Sequence, residues 1–279
     1  MVQSKPQLIN TSTNNLASPK ASLFPFPMAD KKALIVALSG CSSSGKTTLA
    51  RLLRDIFPST FILHEDDFYR PETELPMKEG LLDWDCPESI DIPAMADALS
   101  YIRQHAAFPP TLDSYQDKNS VGHCPVPPAT ISALKSKVLS HLSATNHPLT
   151  TSALHLCFLD GFLLYPPSMA AIQPHLDVKV FLRASYQQAK ARREARDGYV
   201  TLEGFWADPP GYVDKIVWPN YVAEHAWMFE DGNVEGKYKT DVLERETIRV
   251  PDGGPLDGDM DTILAWLVDL LLQELDKHA

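Results

Sequence analysis

The sequence predicts an α/β fold: a mostly parallel five-stranded sheet flanked by helices, with a helical lid. Three observations predict it. Five short apolar runs of strand length punctuate the chain, helical patterns occupy the intervals, and a glycine-rich loop joins the first run to the first helix. With 279 residues, 44% of them hydrophobic, the chain can bury one sizeable core, so a single domain with elaborations is expected over residues 31–279.

Residues 1–30 are rich in Ser, Thr, Asn and Pro, contain no Arg and lack the apolar centre of a secretory signal. They read as a disordered leader, with Met28 as an alternative start. Ala33 to Leu38 is a continuous apolar run, the mark of a strand buried on both faces. It leads directly into Gly40-Cys41-Ser42-Ser43-Ser44-Gly45-Lys46-Thr47. Leu49, Leu52, Leu53 and Ile56 then form one helical stripe, which Pro58 stops. Thr60 to Leu63 reads as the second strand, Leu154 to Leu159 as the third, Val178 to Leu182 as the fourth and Thr247 to Val250 as the fifth. Residues 105–150 carry repeated prolines around a helical stretch near Ile131 to Leu142, and read as a surface insertion without chemistry. Residues 190–215 read as the lid region. Ile263, Trp266, Leu267, Leu270, Leu271 and Leu275 have helical periodicity and are expected to pack on the sheet.

Composition excludes several classes. The formal net charge is −11, and no Lys/Arg block is present that would follow a phosphate backbone. Nucleic acid and anionic membrane are therefore not expected partners. No apolar run approaches the roughly 20 residues of a membrane span. Cys41, Cys86, Cys124 and Cys157 have no metal-ligand spacing, so neither zinc nor a disulfide is expected. These features predict a soluble cytoplasmic protein, compatible also with the nucleus, acting on small molecules; a monomer is compatible with them, and the sequence leaves the oligomeric state open.

The strongest motif is GCSSSGKT at residues 40–47, a complete phosphate loop in its strand-to-helix setting. Gly40 and Gly45 permit the close backbone approach that lets the N–H groups of Cys41, Ser42, Ser43 and Ser44 and the helix start at Thr48 surround phosphate oxygens. Lys46 adds charge at the β- and γ-phosphates, and the Thr47 hydroxyl is placed to ligate Mg²⁺. Cys41 reads as a small loop residue. Asp160, ending the third strand, is the expected acid on the metal's water shell. His64-Glu65-Asp66-Asp67-Phe68-Tyr69 follows the second strand, where ligands bind on open α/β sheets. A carboxylate there can orient the hydroxyl of a phosphoryl acceptor, and the residues alone leave Glu65, Asp66 and Asp67 as equal candidates. The cationic run Lys190 to Arg196 suits a lid helix that stabilises migrating negative charge; helical spacing puts Arg192 and Arg196 on one face and Arg193 elsewhere. ATP and Mg²⁺ are the cofactors these parts imply, in a P-loop NTPase-type kinase.

Together these blocks resemble the nicotinamide riboside kinases, and the fungal branch in particular, within the uridine-kinase-like group. The likeness spans most of the chain from about residue 31 and rests on ALSGCSSSGKTT at 37–48, HEDDFY at 64–69, DWDCPESID at 83–91, LDGF at 159–162, RREARDGYVTLEGFWADPPGY at 192–212 and VEGKY at 234–238. The resemblance implies transfer of the ATP γ-phosphoryl to a pyridine riboside 5′-hydroxyl for NAD salvage. It implies Asp66 as the catalytic base and Asp85 as the acid on the ribose hydroxyls, with Arg193 on the same sugar. It places Trp84 against the pyridine ring, with Tyr69 also lining the acceptor site, and an indole face suits a cationic ring. Acids on either side of Trp84 are expected to keep it out of a deep core. Tyr199 is the expected second aromatic of the lid. The sequence departs from animal members in carrying Asp160 for Glu and Trp84 for Tyr. A uridine or cytidine kinase is the nearest enzymatic alternative. A regulatory nucleotide-binding switch would leave Asp66 and the arginine run idle, and the chain lacks the guanine-reading Asn-Lys-X-Asp pattern.

Overall fold

The computed structural model describes residues 32–114, 124–196, 198–201 and 204–278; the expected disordered leader and Met28 lie outside these residues. In chain order the elements are β1 (Ala33–Gly40), α1 (Lys46–Ile56), β2 (Thr60–His64), β3 (Met77–Lys78), β4 (Leu81–Leu82), α2 (Ile92–His105) and α3 (Pro128–Ala144). There follow β5 (His155–Asp160), β6 (Val178–Leu182), α4 (Tyr186–Glu194), β7 (Tyr199–Thr201), β8 (Gly204–Trp206), α5 (Trp218–His225), α6 (Thr240–Glu246), β9 (Ile248–Arg249) and α7 (Met260–Leu275).

The expected five-stranded sheet is present, in the order β2-β5-β1-β6-β9, with every pairing parallel. All eight residues of β1 are buried, because helices cover both faces of the sheet. Its alternation sorts the two sides: Leu34, Val36 and Leu38 pack with α1, α3 and α7, whereas Ala33, Ile35 and Ala37 face α2 and residues of α4, α5 and α6. The tail helix α7 buries Ile263, Leu264, Leu267, Val268, Leu271, Leu272 and Leu275 in the first of these layers, as its periodicity predicts.

The 105–150 segment differs from a simple surface insertion. Its helix α3 presents Leu134, Val138 and Leu142 to the same layer as α1 and α7, so one face of it is core. The lid region is helical in α4 and again at its end, where the π-helical stretch Val213–Val217 begins. Beyond Ala195 the chain forms the antiparallel hairpin β7–β8, with Tyr199 opposite Trp206. No helix among the described residues is long and apolar enough to cross a membrane. Cys41, Cys86 and Cys157 are buried thiols, and Cys124 is an exposed one.

Register fixes what meets at the crevice. Leu38 and His64 both lie opposite Asp160, and Gly40 lies opposite Leu182. The loops after β1, β2, β5 and β6 therefore leave the sheet side by side at its carboxyl edge.

Candidate active site

The loop after β1 takes the shape its glycines permit. Gly40 has φ 144°, and a Cβ there would stand 2.0 Å from the Leu182 carbonyl oxygen, so no larger residue fits beside β6. Lys46, buried, folds back to donate to the Cys41 carbonyl at 2.8 Å, closing the loop around its own backbone. The Ser43 and Ser44 hydroxyls are buried and have no hydrogen-bond partner among the described residues. Unpaired donors beside a helix N-terminus and a lysine are the features an anionic oxygen cluster satisfies. Thr47 and Thr48 are half-buried in the first turn of α1. The Cys41 thiol is held off nucleophilic duty: burial pushes its pKa up, and Sγ lies 3.9 Å from the Ala184 carbonyl oxygen.

At the ends of β2 and β5, four ionisable groups converge. Asp160 Oδ2 is 3.1 Å from His64 Nδ1, and Asp160 Oδ1 is buried without a hydrogen-bond partner among the described residues. Burial alone would raise the Asp160 pKa, but the hydrogen bond and charge of His64, then Lys46 and the nearby Thr47 hydroxyl, bring it below the usual value. A free carboxylate oxygen and a hydroxyl fit a hard cation that keeps most of its own waters. Asp66, half-buried in the short 3₁₀ turn Glu65–Phe68, is pushed up to about 6, first by burial and then by the charge of Asp160, against the opposing pull of His64 and Lys46. Glu65 is fully buried; its Oε2 accepts from the backbone N–H groups of Phe162 at 2.7 Å and Leu163 at 3.0 Å, and burial pushes it up to about 8. That commitment removes Glu65 from the three acids among which the sequence leaves the base open.

The lid closes on this centre through α4. Arg192 donates to the Ser43 carbonyl at 3.3 Å. Arg193, 8% exposed, grips Asp85 with both terminal nitrogens, at 2.8 and 3.1 Å, reaches Ser42 Oγ at 3.1 Å, and pairs with Asp208 through Nε at 2.6 Å. One guanidinium thus ties the phosphate loop, the acid after β4 and the lid together. Arg196 behaves otherwise than its spacing suggests. The helix ends at Glu194, and a tight turn in which the Arg196 N–H donates to the Arg193 carbonyl carries Arg196 away to the Tyr199 hydroxyl, 3.2 Å off. The structure does not bring Arg196 to the phosphate loop.

The acceptor side is aromatic. Tyr69 meets Trp84 edge-on at 5.0 Å between centroids, Phe162 lies roughly parallel to Tyr69 at 6.4 Å, and Trp206 stands 5.7 Å from Trp84. Trp84 is only 4% exposed, contrary to the argument from its flanking acids. Asp83 and Asp85 are themselves buried, because Asn220 donates to both Asp83 oxygens and Arg193 satisfies Asp85. The Trp84 indole N–H has no hydrogen-bond partner among the described residues. Tyr199, the expected second lid aromatic, lies under Arg193 and Arg196 at 5.3 and 5.4 Å, and it is Trp206, its partner across the hairpin, that reaches Trp84. Trp206 and Asp208, joined by an indole N–H bond of 3.0 Å, are site residues that sequence reasoning passed over; the FWADPP run contains both. Ser42, Asp85, Phe162, Val217 and His225 line a narrow cleft.

No family model matches the chain. Relatives do. The protein named nicotinamide riboside kinase in Schizosaccharomyces pombe is 41% identical over 207 residues, covering 74% of this chain and 85% of that one. Its namesake in Saccharomyces cerevisiae is 37% identical, over 75% of this chain and 84% of that one. Human nicotinamide riboside kinase 2 is 29% identical, over 77% of each.

Proposed function

The chain belongs to the nicotinamide riboside kinases, and from that premise we propose that it transfers the γ-phosphoryl of ATP to the 5′-hydroxyl of nicotinamide riboside, and of nicotinic acid riboside, giving the mononucleotide for NAD salvage. The observation that carries the reading is the placement of Asp66: a carboxyl on the acceptor side, within electrostatic reach of both Lys46 in the phosphate loop and Asp160 at the end of β5.

Asp66 accepts or orients the acceptor hydroxyl's proton as the oxygen attacks phosphorus in line. Lys46, Arg192 and the backbone of residues 40–47 hold the phosphates and meet the charge that moves onto them. Thr47 and Asp160 would hold Mg²⁺, which would supply neutralisation of the phosphates' negative charge. Asp85 and Arg193 take the ribose hydroxyls, and Trp84, with Tyr69 and Trp206, walls the ring site. In this scheme Arg193 also senses closure, since it touches Ser42 on the nucleotide side. No phosphoenzyme is required.

The test is Mg-ATP-dependent phosphorylation of nicotinamide riboside, nicotinic acid riboside, uridine and cytidine side by side. The proposal expects the pyridine ribosides to be preferred strongly. Preference for uridine would keep the kinase and overturn the aromatic-site reading. Lys46→Ala should depress turnover with every acceptor.

A further inference from the structure

We propose that His64, with Glu65 beside it, is the positioning pair that holds Asp160 in the orientation from which it serves the metal. The inference rests on the reading of Asp160 as the metal-side acid and goes beyond it, because it gives a task to two residues that the reading leaves without one.

The register of β2 on β5 sets His64 directly opposite Asp160, and both side chains are buried, at 1% and 6% exposure. An aspartate carboxyl turns easily about its last torsion, whose energy wells are broad. The His64 Nδ1 contact at 3.1 Å removes that freedom by engaging Oδ2. What remains for a ligand is Oδ1, buried and without a hydrogen-bond partner among the described residues. The adjacent residue fixes the backbone in turn. Glu65 Oε2 receives the N–H groups of Phe162 and Leu163, and a Cβ on Gly161 would come within 2.6 Å of that same oxygen. The turn leaving Asp160 is therefore clamped against Glu65 with no room for a side chain. His64 thus sets the carboxyl's rotation and Glu65 the path of the main chain, both from the end of one strand. An imidazole at this depth, where Ile62 and Leu63 precede it, would otherwise be replaced at little loss by an apolar residue.

The experiment measures Mn²⁺ affinity of the enzyme–ADP complex, following free Mn²⁺ by electron paramagnetic resonance, in the full chain. His64→Leu, which keeps volume but loses the donor, should weaken Mn²⁺ binding by about 10- to 100-fold, and His64→Asn, whose amide nitrogen falls near Nδ1, should stay within about threefold of the parent. Metal-free ADP affinity should be the same in all. If His64→Leu does not fold, His64→Gln, which carries its amide one methylene too far, takes its place and should show the same loss. Parent-like Mn²⁺ affinity in the Leu or Gln variant, while Asp160→Asn binds Mn²⁺ weakly, would overturn the proposal and leave Asp160 as the metal acid. Parent-like affinity in Asp160→Asn would overturn that underlying reading.

Discussion

Asp66 and Glu65 are neighbours in sequence with opposite assignments, and what separates them is which partners the fold gives each. Glu65 Oε2 takes two backbone N–H groups, whereas Asp66, next along the same turn, is pushed up to about 6 by burial and the charge of Asp160. Asp66→Ala should therefore lower kcat by about 100-fold or more while Mg-ATP affinity changes little, as binding experiments with a non-hydrolysable analogue will show. The same assignment predicts a pH profile. The base acts deprotonated, so kcat/KM for the riboside should rise with pH through an apparent pKa of about 6 and be lost below it. A limb near the ordinary aspartate value would mean that the titrating group is elsewhere. Arg193 makes a different case: its fork meets Asp85 and Asp208 at once, which a lysine cannot reproduce. Arg193→Lys should cost about tenfold or more in kcat/KM for the riboside, measured by steady-state kinetics, even though the charge is kept. The phosphate loop was legible because its chemistry is local in sequence. Trp206 was not, because its neighbour Trp84 lies far away along the chain and only the hairpin pairing of β7 with β8 brings it there.

At the scale of elements, apolar periodicity was a reliable guide where an element is buried on both faces or along one stripe. The runs that read as strands at 33–38, 60–63, 154–159, 178–182 and 247–250 each contain or overlap a strand of the sheet. Boundaries shifted where a hydrogen bond rather than hydropathy ends the element, as at Arg196, where a tight turn replaces the helix that a cationic run alone suggests. Prolines around α3 announced irregular connections, yet they say nothing about which face of the helix between them is buried. The packing of α3 on α1 and α7 makes a prediction about that segment. Leu142, fully buried, lies in the layer away from the crevice. Leu142→Ala should cost about 2–5 kcal/mol in urea unfolding while kcat and KM per folded molecule stay unchanged. A variant with parent stability would show that the segment is dispensable to the core.

For the whole molecule, the parallel sheet has a consequence for stability, because it gathers the carboxyl ends of its strands, and with them the acids, on one edge. Glu65 is raised from 4.5 to about 8, first by burial and then by the charge of Asp66, and Asp66 itself from 3.8 to about 6. Between the unfolded and folded values the native chain holds protons that the unfolded chain has released. Stability from this edge is therefore fully present near pH 4 and is lost as pH rises toward about 8. The raised pKa of His64 acts in the same direction, and the lowered one of Asp160 acts only below its ordinary value, outside that window. Unfolding free energy, measured in urea at pH 5 and pH 8, should fall across the interval. Glu65→Gln, which retains an acceptor for Phe162 and Leu163 but cannot ionise, should flatten the fall and exceed the parent at pH 8 by at least about 1 kcal/mol. An unchanged slope in that variant would mean that the Glu65 carboxyl ionises without penalty, and that the clamp on the turn after Asp160 costs the fold nothing. A flattened slope would mean that this edge gives up stability at working pH to keep Asp66 and Asp160 where phosphoryl transfer needs them.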